Sequence, residues 1–228
     1  MTEVSLPAPS PTLPTASAAA RAPSPAWRRI LHVGWMSVAL GLGIELLLFA
    51  LAATRGVPKL APVVADLAQK VSWATIVCIG LAIGNTAGRR RSDRMGLLGL
   101  IAAPAGFHVA RAAHKGVGQA LGLVAGAAAS PIFVLAGLKA LEYGILGATV
   151  GGLGNRGGRP NLRVHLLTGA VVGVVFGSAI IAVLTRAAAQ PPTVVDLVAK
   201  AINELLFPIG CSFVLWAAET LGSKVAQD

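Results

Sequence analysis

The chain has 228 residues, of which 55% are hydrophobic and 12% are charged, and it carries a net charge of +10. Soluble domains usually contain about 25% charged residues, so this composition excludes an ordinary soluble protein. The basic residues form short clusters beside apolar runs, as in the loops of membrane proteins, so the positive charge does not indicate nucleic-acid binding.

The N-terminal segment, residues 1–27, is rich in proline, alanine and serine. A segment of this composition cannot bury enough apolar surface to fold, and we expect a disordered tail. Apolar stretches of about 20 residues follow, each long enough for a helix to cross the hydrocarbon layer. Pro104 makes the third stretch irregular, which leaves an odd number of crossings open. We predict membrane spans at 30–53, 62–86, 95–123, 131–153, 162–184 and 193–221.

The predicted spans fall into three similar pairs. The second, fourth and sixth spans start with "PVVADLAQK", "PIFVLAGLK" and "PTVVDLVAK", in which a lysine follows a proline by eight positions. The second and fourth spans end in "GNTAGR" and "GNRGGR". Proline and glycine are typical of helix starts and ends, so these motifs require no chemistry. We predict an all-α polytopic membrane bundle of about six helices, built as three tandem two-helix hairpins near 28–88, 94–158 and 162–222, with a short tail at 223–228.

The arginine clusters predict the orientation of the chain in the membrane. The segments "WRR", "RRRSDR" and "RGGRPNLR" alternate with weakly charged connections. The positive-inside rule therefore places both termini and both basic loops in the cytoplasm. We expect a multi-pass protein of a bacterial-type inner membrane, whose arginines contact anionic lipids. The sequence does not decide whether the protein forms a homo-oligomer or joins a larger membrane complex. We expect no nucleic-acid partner.

Several charged residues lie inside the predicted spans, where a charge costs several kcal/mol unless it is paired or hydrated. Glu45 stands in "LGLGIELLLFALA" without a local partner, so it requires a cation from another helix. The helical rise of 1.5 Å per residue places the three lysines of the proline segments about 12 Å beyond those prolines. The same arithmetic places Glu45 and Arg111 at a similar depth. The layer then balances five acids against five bases, namely Glu45, Asp66, Glu142, Asp196 and Glu204 against Lys70, Arg111, Lys115, Lys139 and Lys200.

This charged layer predicts the site or gate of a small transporter or channel for an ion or small solute. Our candidates for the solute path are Glu45, Arg111, Lys70, Lys139, Lys200, Glu142 and Glu204. Lysines near a membrane interface also snorkel without any function, which is the competing explanation for the three lysines. His108 and His114 are candidates for a proton relay, or they mark the end of the third helix.

Other functional classes find less support in the sequence. A non-transporting accessory or scaffold subunit of a membrane complex is the alternative function. We predict no enzyme, no catalytic residues, no cofactor and no metal site, because we find no phosphate loop, metal-ligand spacing or hydrolase triad. Cys78 and Cys211 lie in apolar runs and are expected to be packing residues. Asn85 and Asn155 are weak candidates for interhelical hydrogen bonds.

Overall fold

The protein is an assembly of six α-helices in a computed structural model that describes residues 25–86, 90–123, 131–154 and 161–225. All six are long and apolar enough to cross a membrane. The chain therefore has the character of an integral, multi-pass membrane protein, and the all-helical prediction is confirmed. The helices are α1 (Pro25–Ala53), α2 (Leu60–Asn85), α3 (Arg91–Ala120), α4 (Ile132–Gly154), α5 (Leu162–Ala187) and α6 (Val194–Val225).

The helix boundaries lie within a few residues of the predicted spans. The start of α1 at Pro25 means that residues 25–27 of the predicted tail are helical, and the rest of that tail lies outside the described residues. α3 runs without interruption through Pro104. A proline removes one backbone donor, and here the helix continues past it rather than splitting into two segments. The described helices thus give an even number of potential crossings.

The even-numbered helices occupy the centre of the bundle. α2, α4 and α6 contact one another, and each odd-numbered helix packs between two of them: α1 against α2 and α6, α3 against α2 and α4, and α5 against α4 and α6. The buried core is accordingly formed mainly by central-helix residues such as Trp73, Leu81, Tyr143, Leu146 and Leu215. Large apolar side chains point outward, as expected for helix faces that contact lipid.

Glycines bring neighbouring helices into backbone contact. A Cβ atom added at Gly99 of α3 would overlap the carbonyl oxygen of Tyr143 in α4. A Cβ atom added at Gly169 of α5 would lie 2.7 Å from the Cα atom of Ile209 in α6. Small residues therefore set the close packing of both helix pairs, as in many membrane bundles.

Consecutive helices run in opposite directions and define two ends of the bundle. The C-termini of α1, α3 and α5 and the N-termini of α2, α4 and α6 share one end, which we call the cavity end. The C-termini of α2 and α4 and the N-termini of α3 and α5 share the other, where arginines such as Arg91 and Arg163 lie. We call this second end the basic end.

Candidate functional site

A cavity of about 440 Å³ lies in the half of the bundle nearest the cavity end. All six helices contribute to its lining. The lysines of the three proline–lysine segments all reach it, one from each central helix. Its polar lining consists of Asp66, Gln69, Lys70, Lys139, Lys200, Asn203 and Glu204, and its apolar lining includes Leu48, Trp73, Phe107, Leu184 and Phe207.

Lys139 forms the floor of this cavity together with two carboxylates. Its Nζ atom lies 2.8 Å from Oε2 of Glu142 and 2.5 Å from Oε2 of Glu204. Glu142 is three residues further along α4, so helical spacing brings it to the same face, whereas Glu204 comes from α6. The three side chains form a buried network, which we call the central triad.

Two aromatic rings enclose the central triad. The ammonium group of Lys139 lies 5.5 Å from the ring centroid of Trp73 and 5.7 Å from that of Tyr143. These two rings meet edge to face at 5.4 Å. Cation–π contacts of this kind contribute about 0.5–2 kcal/mol, more when the cation is desolvated. Carboxylates and rings together therefore compensate the burial of this lysine.

Glu45 of α1 has a cation partner on a neighbouring helix, as its isolation in the sequence requires. Its Oε2 atom lies 2.6 Å from Nζ of Lys70 in α2, and both side chains are largely buried. α1 approaches α2 closely because Gly41 leaves space for the backbone of Val71. Arg111, another candidate partner, instead places its guanidinium group 5.6 Å from the ring centroid of Phe107.

Lys200 differs from the other two cavity lysines because it has no ion pair among the described residues. Asp196, four positions earlier, accepts hydrogen bonds from the backbone N–H and the hydroxyl of Thr193, at 3.1 Å and 2.7 Å. This is the geometry of a helix N-terminal cap. The acid on the same helical face as Lys200 therefore stabilises the start of α6 and leaves the ammonium group to the cavity.

The remaining residues of the predicted layer are spread along α3 and α2. Asp66 lies 3.2 Å from Nδ1 of His114, so it pairs with this histidine rather than with Lys70. His108 is exposed and packs against the ring of Phe107, with 5.8 Å between centroids. Lys115 is exposed as well. Neither histidine lines the cavity.

A second buried polar cluster lies at the basic end. The carboxylate of Glu219 in α6 contacts the guanidinium group of Arg91 in α3 and accepts a hydrogen bond of 3.3 Å from Asn85 Nδ2 in α2. Its other oxygen lies 3.9 Å from Nε2 of His165 in α5. Gly154 of α4 makes room for Arg91, since an added Cβ atom would overlap the guanidinium group. We call Asn85, Arg91, His165 and Glu219 the basic-end cluster.

Most of the basic-end cluster was not predicted from the sequence. Asn85 is the one member predicted as a candidate for an interhelical hydrogen bond, while Asn155, the other candidate, lies outside the described residues. Glu219 follows Glu204 by fifteen positions in one apolar span. A second carboxylate in the same helix, without a local partner, was a usable signal that another helix must supply a cation.

Two thiols lie between the central triad and the basic-end cluster. Cys78 of α2 and Cys211 of α6 are both 1% exposed, and their sulfur atoms are 3.0 Å apart. The Cys78 thiol donates a hydrogen bond to Cys211, and the two are free cysteines, without a disulfide, in the packed centre of the bundle. Within the part of the chain that the structure describes, no three histidine, cysteine or acidic residues are grouped so that they could hold a metal ion.

Comparison with family models, with curated proteins and with solved structures found no match to this chain. The geometry of the two polar clusters and of the cavity is therefore the basis for a proposed function.

Proposed function

We propose that this protein moves a small charged or polar solute across a membrane, as a transporter or a channel, through the cavity above the central triad. The observation that carries this proposal is the convergence of three lysines and Glu204 on one cavity, inside a bundle of apolar helices. Charges at such depth are expensive and usually mark solute or ion paths. A concave site with a few converging polar groups also suits small-molecule binding.

The cavity contains charged and hydrogen-bonding groups that have no partner within the described residues. Lys200 lines the cavity without an ion pair among the residues described, and the amide of Gln69 lies nearby in the lining. Asn203 donates a hydrogen bond of 3.4 Å to Glu204, which leaves its amide oxygen for a ligand. A static layer of ion pairs does not require unpaired polar groups, whereas a site that binds a solute does.

We infer that this path is open at the cavity end and closed beyond it. The central triad, the packed cysteines and the basic-end cluster follow one another along the axis below the cavity. Passage of a solute therefore requires separation of the ion pairs of Lys139 and Glu219. We assign the basic end to the cytoplasm under the positive-inside rule, so that the cavity faces outward from a bacterial-type inner membrane.

We also propose that the three hairpins are repeats of one unit. Each hairpin contributes one central helix and one peripheral helix, and each central helix presents its lysine to the same cavity. Repeats commonly place a binding site on their shared axis in transporters. The contact between α2 and α3 is as extensive as that between α3 and α4, so the first two proposed units are not separate bodies.

Flux measurements on proteoliposomes test the proposed function. Purified protein should accelerate the equilibration of at least one of a panel of labelled solutes, for which we suggest phosphate, acetate, glutamate, lysine and choline, with proton and chloride leak measured in parallel. Lys200→Gln removes the unpaired cavity charge and should lower the flux about tenfold, the effect of losing one charged hydrogen bond. Lys115→Gln removes an exposed lysine of α3 outside the cavity and should leave the flux unchanged.

Equal leak with and without protein for every solute and ion in this panel would contradict the proposal. Equal loss of flux in both lysine variants would also contradict the proposal. The loss would then come from removing any positive charge, and not from removing the lysine that lines the cavity.

The alternative function, an accessory subunit, is favoured by one feature. An apolar groove of about 470 Å³ runs along α1, α5 and α6 and is lined by residues such as Leu40, Ile44, Leu166, Ile209 and Phe213. Its size and apolar lining suit a transmembrane helix of a partner protein. Substitution of Ile44 and Ile209 by tryptophan should release a partner that co-purifies in mild detergent, and flux should persist if transport is the function.

A further inference from the structure

The basic-end cluster contains a histidine whose hydrogen bonding fixes the position of its ring proton. His165 is 2% exposed, and its Nδ1 atom lies 3.0 Å from the backbone oxygen of Asn161. A carbonyl oxygen can accept a hydrogen bond but not donate one, so Nδ1 carries the hydrogen. In the neutral ring, Nε2 then has a lone pair and acts as an acceptor.

This lone pair faces another acceptor. Nε2 of His165 lies 3.9 Å from Oε2 of Glu219 and is buried without a hydrogen-bond partner among the described residues. The other carboxylate oxygen, Oε1, is the one contacted by Arg91 and by the amide of Asn85. One proton added to Nε2 would convert two facing acceptors into a donor and an acceptor of opposite charge.

We propose that His165 and Glu219 form a proton-binding site at the basic end of the bundle. The bound species is a single proton on Nε2, which forms an ion pair with the carboxylate of Glu219 across 3.9 Å. The proposal goes beyond the proposed transport, since the site exists whichever solute the cavity takes. In a transporter, it would supply a coupling ion at the face opposite the cavity.

Burial of the ring and the charges around it together determine how strongly the site holds its proton. Glu219 of α6 favours the proton, whereas Arg91 of α3 opposes a second positive charge, and Arg29 of α1 adds to the positive potential at Arg91. α2 contributes the neutral amide of Asn85, and α4 contributes Gly154. The carboxylate and the guanidinium group therefore act on the same ring nitrogen in opposite directions.

Histidine NMR on the full chain tests this site directly. We suggest ¹⁵N-histidine labelling in lipid nanodiscs, in which the chain's four histidines give four ring signals and His165→Gln assigns one of them. At pH 8 the His165 ring should be the neutral form with hydrogen on Nδ1, and acidification should convert it to the imidazolium form. Glu219→Gln should weaken proton binding at His165 about tenfold, which corresponds to one pH unit.

Two further variants separate this site from a general effect of misfolding. Arg91→Gln should strengthen proton binding at His165, which is opposite to the effect of Glu219→Gln. Asp66→Asn, at the far end of the bundle, should change the His114 signal and leave that of His165 in place. A ring with its hydrogen on Nε2 at pH 8, or an unchanged His165 titration in both cluster variants, would overturn the proposal. Neither result would affect the flux prediction for Lys200→Gln.

Discussion

Lys139 holds the central triad together, and its removal should destabilise the bundle. Lys139→Met keeps much of the volume of the side chain but leaves Glu142 and Glu204 buried without their cation. Breaking a buried ion pair by removing one partner typically costs about 3–5 kcal/mol, so we expect a loss of this order in the free energy of unfolding. Denaturant or thermal unfolding in detergent, followed by circular dichroism, measures it.

The control for this prediction restores the charge balance. Lys139→Met combined with Glu142→Gln and Glu204→Gln leaves no unpaired carboxylate in the triad, and it should recover a large part of the lost stability. If the single and the triple variant are equally unstable, the cost is one of packing around Trp73 and not of unpaired charge.

Glu45 provides a second prediction, because the sequence left four cations as its possible partners, namely Lys70, Lys139, Lys200 and Arg111. The structure pairs it with Lys70 at 2.6 Å, while Arg111 packs over Phe107. A double-mutant cycle with Glu45→Gln and Lys70→Gln should give a coupling energy of about 0.5–3 kcal/mol. The parallel cycle with Arg111→Gln should give a value near zero. Larger coupling to Arg111 than to Lys70 would show that the assigned ion pair is wrong.

The sequence predicts the contacts of the site that depend on helical spacing or on an isolated charge, and it does not predict those that depend on how the helices pack. The isolation of Glu45 required an interhelical cation, and the i to i+3 spacing of Lys139 and Glu142 placed them on one face. Spacing could not assign Glu204 to Lys139 rather than to Lys200, because that choice depends on the packing of α4 against α6. Spacing also could not show that Asp66 faces His114 on another helix. It could not show that Asp196 caps α6, because local hydrogen bonds to Thr193 compete with an ion pair to Lys200.

Helix contact at Gly99 gives a prediction for the α3–α4 pair. Gly99→Ala places a Cβ atom against the backbone of Tyr143 and Gly144, which cannot move aside as a side chain can. We expect a loss of about 1–3 kcal/mol in the free energy of unfolding, the usual cost of overpacking. The matched control is Gly137→Ala in α4, where an added Cβ meets nothing within 4 Å.

The control should change stability in the opposite direction. Alanine favours a helix over glycine by about 0.5–1 kcal/mol, so Gly137→Ala should be neutral or stabilising. Unfolding of both variants under the same conditions compares them. A stable Gly99→Ala protein would indicate that α3 and α4 are further apart than described.

The helices themselves were largely predictable, and their ends were less so. The length of an apolar run is enough to predict a membrane-spanning helix, and the six predicted segments therefore match α1 to α6. The ends depend on local hydrogen bonds and on side chains from other helices. α3, for example, begins four residues before the predicted start, at Arg91, whose side chain contacts Glu219 of α6.

The arrangement of the helices depends on contacts that no single span reveals. Periodicity within a span shows weak amphipathicity, because both the lipid and the core are apolar. The proline–lysine pattern is therefore visible in the sequence, but the meeting of α2, α4 and α6 at the centre is not. Once these helices are central, their lysines converge on one cavity, and the polar groups of the basic end are buried among α2, α3, α5 and α6.

The central claim is that the lysine-lined cavity is open to water from one side of the membrane. Asn203→Cys in a Cys78→Ala/Cys211→Ala background places one thiol in the cavity lining. Ile145→Cys in the same background is the control, since Ile145 is an outward-facing residue of α4. Labelling with a charged, membrane-impermeant methanethiosulfonate reagent should modify N203C rapidly from the outer face and slowly from the cytoplasmic face, with I145C unreactive from both. Equal protection of N203C and I145C from both faces would contradict the account, because the cavity would then be closed to any dissolved solute.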